Sequence, residues 1–246
     1  MKPVVWGVMS VSVHYALRVH TYLARSPLVQ LRGIASRDRK RAEQAARELG
    51  MPKAYGSYEE LLADKEIEAV YLPLPNHLHA EWVKKAADAG KHVLCEKPFA
   101  LNAAEAEQAI RYARSKGVLV MEAFMYRFHP QWKRAREIVR AGEIGTPHVV
   151  STLFSYMLKD PSNIRNVLSA GGGGIPDIGC YAVSTARFLL GREPSRVVSL
   201  VHRDPQMGTD ILSSAILDFG TARAQFTVGT QTHSWQRVEV LGSGDR

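Results

Sequence analysis

The sequence predicts an α/β protein in two parts: a doubly wound parallel sheet covered by helices, then a domain built on an antiparallel sheet. Three observations carry this reading. Between residues 4 and 122, short apolar runs alternate with longer segments of helical periodicity, as repeated βα units do. Beyond about residue 124 the alternation stops, and strand-like runs follow one another across short turns such as Asp218-Phe219-Gly220-Thr221, which indicates antiparallel pairing. The composition, 46% hydrophobic and 23% charged over 246 residues, is that of an ordinary globular chain able to bury a sizeable core.

In the first part, residues 4–9 read as a strand, 15–25 as a helix, 29–35 as a strand and 38–49 as a helix stopped by Gly50 and Pro52. A helix over 58–62, a strand over 69–72, a helix over 78–89 ended by Gly90 and a strand over 92–95 come next, followed by a helix over 102–115 and a strand over 118–122. In the second part a basic helix over 131–141 leads to a strand over 147–156, an irregular segment around KDPSNIRN and the glycines 171–174. A helix over 177–190 precedes strands over 196–201, 210–219 and 222–229, with 235–241 a candidate fourth. The domains are therefore 1–123 and 124–246, with no flexible linker or internal repeat between them.

Composition narrows the function classes. The longest apolar runs, 118–120 and 211–217, fall far short of the roughly 18 residues of a membrane span, and MKPVVWGV lacks a signal peptide's apolar region and cleavage site. A cytoplasmic protein with no membrane partner is expected. Cys95 and Cys180 lack metal-ligand spacing and are too few for a disulfide framework, so two buried, reduced thiols and no metal are expected. The formal charge of +8 (32 basic against 24 acidic) favours anionic partners in general. The basic residues between Arg111 and Arg140 interleave with apolar ones at helical spacing, as a solvated face does, and no nucleic-acid motif accompanies them.

The stretch VVWGVMSVSVHYA, residues 4–16, occupies the place of a dinucleotide-binding turn without its glycines. Such a turn needs a tight bend, a bare backbone beside the pyrophosphate and a small residue where helix meets strand, and here those places fall to Ser10, Ser12 and Tyr15. A helix starting near Val13 still offers unpaired amides and a positive dipole end to phosphate. Ser10 and Ser12 add hydroxyls, and His14 either sits near the phosphates or covers the loop. For Tyr15, the ring must point away or the helix must stand farther from the sheet. The second strand ends in Ser36 and Arg37 where a cofactor with a free ribose hydroxyl usually meets an acid, which favours NADP, with NAD the alternative.

Three blocks, PLPNHLHAEW, GKHVLCEKPFA and GGGGIPDIGCYAVSTARFLLG, together resemble the glucose-fructose oxidoreductase, inositol dehydrogenase and MocA-like (Gfo/Idh/MocA) family of nicotinamide-dependent oxidoreductases. The resemblance runs in order from Val4 through Leu241. It implies a Rossmann domain for dinucleotide binding and an α/β substrate domain with an open, mainly antiparallel sheet that also makes a homo-oligomer, a dimer or tetramer. It further implies that Glu96 and Lys97 border the cleft, with Lys97 commonly beside a cis Lys-Pro bond. Pro73, Asn76 and His79 match the loop bordering the nicotinamide ribose, Asp177 the substrate-orienting aspartate, and Tyr181 the proton-transfer position. Family members usually continue through further strands beyond GSGDR, so the second domain either exposes a sheet edge or is C-terminally incomplete.

Elementary chemistry agrees with those roles. Asp177 and Tyr181 are four apart and share a face on a helix. A phenol of pKa near 10 is a poor base unless a cation such as Lys97 stabilises the phenolate. Outside the resemblance, Lys97 reads as a surface lysine, Asp177 as a helix cap and Tyr181 as a core aromatic. His129 reads as structural, Tyr126 and Arg127 as residues able to line the cleft, and Arg165 and Asn166 as able to reach substrate hydroxyls. The expected activity is NADP-preferring hydride transfer at a secondary alcohol or carbonyl of a sugar, polyol or related diol. The alternative is a noncatalytic nucleotide- or sugar-binding member acting as sensor or assembly subunit.

Overall fold

The apolar runs of the first half become six short strands, joined by helices of which three begin where the sequence supplies a capping side chain. The computed structural model describes residues 2–244, so the last two residues of the GSGDR end lie outside the described residues. The chain divides into two compact units, one up to Ala123 and one from Phe124 onward.

The first unit runs β1 (Val4–Val8), a π-helical turn (Tyr15–Val19), α1 (His20–Arg25), β2 (Val29–Ala35), α2 (Arg39–Glu48), β3 (Lys53–Tyr55), α3 (Tyr58–Ala63) and β4 (Ala69–Leu72). It continues through α4 (His79–Asp88), β5 (His92–Cys95), α5 (Ala103–Ser115) and β6 (Val120–Glu122). All strands pair in parallel in the order β3-β2-β1-β4-β5-β6. Asp38, Ser57 and Asn102 cap α2, α3 and α5 by accepting first-turn amides, which fixes where each helix starts. The order reverses between β1 and β4, so the switch point, where such sheets bind ligands, lies at the carboxyl ends of those two strands. The three-residue β3 was not anticipated; its short KAY run, following Gly50 and Pro52, carries too little periodicity to read as a strand.

Tyr15 turns its ring into the core of the first unit. Its ring is fully buried, 5.8 Å from the ring of Tyr71 and 5.5 Å from that of His20, and its hydroxyl is hydrogen-bonded to His20 Nδ1 at 2.9 Å. The chain widens into the π-helical turn at this residue, which makes room for a large side chain between helix and sheet.

The second unit runs α6 (Pro130–Ala141), β7 (Pro147–Met157), a π-helical turn (Ile175–Gly179) leading into α7 (Cys180–Leu190), β8 (Arg196–Arg203), β9 (Asp210–Asp218), β10 (Arg223–Gly229) and β11 (Gln231–Gly242). The sheet order is β11-β7-β10-β9-β8. Three of its pairings are antiparallel, whereas β7 and β10 are parallel because a long crossover containing α7 separates them. The sheet is thus mixed, though mainly antiparallel. Ile178, Ala182, Ala186 and Leu189 pack with Val150, Leu217 and Phe226 in the core between helix and sheet. On the opposite face Leu153, Val198, Leu200, Leu212 and Ile216 are exposed.

Cys95 is buried, but Cys180, the first residue of α7, is only half-buried at the margin of the second core. Among the described residues no helix is long and apolar enough to cross a membrane.

The burial of Tyr15 makes a counterintuitive prediction. Tyr15→Ala, which restores a small residue at the third place of the turn, should lower unfolding stability by about 3–5 kcal/mol through the cavity it leaves. Urea denaturation measures this, and an unchanged midpoint would show that the ring is not core.

Candidate active site

The turn after β1 keeps the backbone of a glycine turn although it contains none. Ser10 sits at φ 155°, a conformation that L side chains rarely adopt and glycine adopts freely. The chain then enters a helix at Val13, with Ser12 as its cap: Ser12 Oγ accepts the Tyr15 amide at 3.0 Å, and its carbonyl accepts the Ala16 amide at 3.1 Å. Val13 is exposed, and Ser10, Ser12 and His14 are partly exposed. The first-turn amides have no intrahelical partner and carry the positive end of the helix dipole, so this turn offers donors to an anion.

Glu96, just past β5, faces the same turn. Its Oε1 lies 3.6 Å from His14 Nε2 and accepts a hydrogen bond from the Tyr71 hydroxyl, while Oε2 accepts the Lys97 amide at 3.3 Å. Burial, reinforced by the Glu96 charge, pushes the Tyr71 phenol above its ordinary pKa, so it stays a donor. Lys97 is half-buried, and the Lys97–Pro98 bond is cis.

At the end of β2, Ser36 is buried and its hydroxyl oxygen accepts the Asp38 amide at 3.2 Å, while Arg37 is exposed. The neighbouring arginines have other work. Arg39 Nη2 donates to both carboxylate oxygens of Glu60, at 2.7 and 2.8 Å, and Arg41 donates to the Val11 carbonyl at 3.0 Å, tying α2 to the turn after β1. That tether spans thirty positions and leaves no local sequence signal.

The loop after β4 corrects one expectation. Pro73 is buried and Asn76 half-buried, in a 3-10 turn, but His79 has no exposed surface. Both its ring nitrogens face backbone carbonyls at 2.8 Å, Nδ1 that of Pro98 and Nε2 that of Leu74. Burial holds its pKa below the ordinary value against the pull of those carbonyls. His79 therefore braces two loops from beneath and offers no surface to a cofactor.

In the second unit, Asp177 lies in the π-helical turn and Tyr181 in the first turn of α7. Asp177 accepts the Tyr156 hydroxyl at 2.6 Å on Oδ2 and Arg165 Nε at 3.2 Å on Oδ1. The Tyr181 ring packs edge-on against Phe124 at 5.3 Å and lies 6.1 Å from the rings of Tyr126 and Phe154. Phe154 and Tyr156 are two apart on β7 and share one face, so Asp177 and Tyr181 lie over the same side of that strand. Tyr156, which sequence reading missed, is held protonated by burial first and by the Asp177 charge second. Only the alternation along β7 could have hinted at its direction.

Other expectations shift. Asn166 is buried, its amide donating to the carbonyls of Asp160 at 2.8 Å and Leu158 at 3.3 Å, so it holds a loop rather than reaching a substrate. Tyr126 is buried with its hydroxyl 2.7 Å from Ser184 Oγ, so it belongs to the core rather than to a cleft. His129 caps α6 through Nδ1, a structural role. Among the described residues no group of three or more His, Cys, Asp or Glu side chains gathers as a metal site.

Tyr156→Phe should cost roughly 1.5–3 kcal/mol of unfolding stability, because it removes a hydrogen bond to a charged group that is largely buried. Chemical denaturation checks this; a cost near zero would mean that the carboxylate is held without this hydrogen bond.

The comparisons with known proteins fit this geometry. Residues 7–124 match the "Oxidoreductase family, NAD-binding Rossmann fold", and residues 132–245 match the "GFO/IDH/MocA C-terminal domain". The D-xylose 1-dehydrogenase (NADP(+)) 2 of Haloferax volcanii is 48% identical over 84% of this chain and 64% of its own length. The trans-1,2-dihydrobenzene-1,2-diol dehydrogenase of Mus musculus is 36% identical over 97% of this chain and 72% of its own. Among solved structures, the 3-ketoreductase KijD10 of Actinomadura kijaniata, in complex with NADP and TDP-benzene, superposes with a TM-score of 0.91 at 32% identity, over 98% of this chain and 74% of that one. The chain thus spans about two thirds of the length of the curated relatives it matches. With both family segments in order along one chain, each on the unit whose fold it describes, the protein belongs to the GFO/IDH/MocA family of oxidoreductases.

Proposed function

We propose that this chain uses NADP to move a hydride to or from a secondary alcohol or carbonyl of a sugar, polyol or related diol. The observation that carries the reading is the Ser10 backbone at φ 155°, which keeps the turn after β1 in glycine geometry and so open to a dinucleotide. The residues present fit the cofactor: Ser10, Ser12 and the amides of Val13 and His14 for the pyrophosphate, and a small Ser36 beside exposed Arg37 for a 2'-phosphate. Pro73, Asn76 and Glu96 would border the nicotinamide end. The bound nicotinamide supplies or accepts the hydride.

The chain's own residues then have separate tasks. The Tyr181 hydroxyl gives or takes the substrate's hydroxyl proton, and Lys97 is the second group we assign to turnover. Asp177, held by Tyr156 and Arg165, is the carboxylate we assign to orient a substrate hydroxyl. The Haloferax and mouse relatives act, by their names, on an aldose and on a vicinal diol, and such paired hydroxyls are the substrate class we assign here. The uncovered apolar face of the second sheet supports a homo-oligomer formed through it, and unbridged cysteines fit a reducing cytoplasm.

Two substitutions test the reading. Tyr181→Phe should leave NADPH affinity intact and cut turnover at least about 100-fold in a screen of aldoses and vicinal diols; near-normal turnover removes the proton role. Arg37→Ala should weaken NADPH binding by about tenfold or more with little change for NADH, as loss of a charge-assisted contact does. Equal effects on the two cofactors would place the 2'-phosphate elsewhere.

A further inference from the structure

The glycine run before α7 is shaped around one buried carboxylate. Asp210, the first residue of β9, is 6% exposed. Its Oδ2 accepts the Ile175 amide at 2.7 Å and the Ser213 hydroxyl at 2.8 Å, and Ser213 is itself buried. The amide it holds opens the helical segment that carries Asp177 two residues on and Tyr181 six residues on. A negative charge at that end also meets the positive end of the helix dipole.

Two of the four glycines make room for this contact. Gly173 stands at φ 135°, and a Cβ there would collide with Asp210 Oδ1; a Cβ on Gly174 would stand 3.1 Å from Oδ2. A Cβ on Gly172 would come within 2.5 Å of the Arg165 carbonyl. The Gly173 amide donates to that same carbonyl at 2.8 Å, and the Gly173 carbonyl accepts the Asp177 amide at 3.1 Å. Asp210, the glycine turn and Arg165 thus form one connected set, and Asp177 is joined to it by both backbone and side chain.

We propose that Asp210 is a positioning residue for turnover: seated in the space left by Gly173 and Gly174, it sets the start of the helical segment and so the placement of Asp177 and Tyr181. This rests on the reading of Tyr181 as the proton carrier. A group placed by about 1 Å of error can lose on the order of 100-fold in rate, so the effect belongs in kcat.

The test compares Asp210→Ala and Asp210→Asn with Tyr181→Phe run beside them, on the best substrate of the aldose and diol screen. Asp210→Ala should lower kcat by about tenfold or more, with NADPH affinity within about twofold of the parent protein. Asp210→Asn retains an acceptor for the Ile175 amide and should keep about a third or more of kcat. Hydrogen exchange should rise over residues 173–181 in the alanine variant and not in α6. Unchanged exchange over residues 173–181 overturns the proposal, as does raised exchange with kcat within about twofold of the parent. If Asp210→Ala does not fold, Asp210→Glu, which pushes the carboxylate one methylene toward Gly173, must show the same drop in kcat with NADPH binding kept, or the proposal fails. If Tyr181→Phe keeps full turnover, the proton-carrier reading falls; if it loses turnover while Asp210→Ala does not, only the positioning role falls.

Discussion

A backbone leaving the first strand of a parallel sheet must bend within a few residues and present bare amides at the start of a helix, and every use of the first unit depends on that bend. Glycine usually meets the requirement because its φ is unrestricted. Here Ser10 meets it at φ 155°, a conformation that costs a non-glycine residue roughly 1–3 kcal/mol and persists only where its surroundings impose it. The surroundings do so from both sides. The Met9 amide is held by the Tyr71 carbonyl of β4, Ser12 caps the helix, and Arg41 reaches across from α2 to the Val11 carbonyl. The large residue at the third place is absorbed by a π-helical turn that sets Tyr15 into the core.

The second unit solves a related problem with the opposite residue choice. Its glycines remove side chains so that a carboxylate and a backbone carbonyl can come close, and the helix start is built on those contacts. Asp177 then emerges among fixed partners. A phenol held protonated and a guanidinium that cannot lose its charge both hold the carboxylate and limit its freedom to turn.

Local pattern made the architecture legible. Caps such as Asp38, Ser57 and Asn102 announce their helices, and β4, buried at every position, reads as an unbroken apolar run. The Glu96-Lys97-Pro98 and Asp177-to-Tyr181 blocks carried the family because their spacing is local. What stayed hidden depends on partners distant in sequence. Tyr156 meets Asp177 across 21 positions, Asp210 meets Ile175 across 35, and nothing near either residue advertises the match. His79 shows the same limit from the other side: its motif is visible, but whether a histidine faces a ligand or two buried carbonyls is decided by packing. The parallel β7–β10 pairing escaped for a like reason, since pairing direction follows the route of the intervening chain, whereas β3 is too short to carry a pattern.

The central claim is that a turn without glycines still holds a phosphorylated dinucleotide. Calorimetric titration of the purified protein with NADPH and with NADH tests it most directly. The account predicts saturable binding at one site per chain, tighter for NADPH than for NADH. Absence of binding to both would contradict it, and would mean that the Ser10 turn has kept the shape of a nucleotide site without its use.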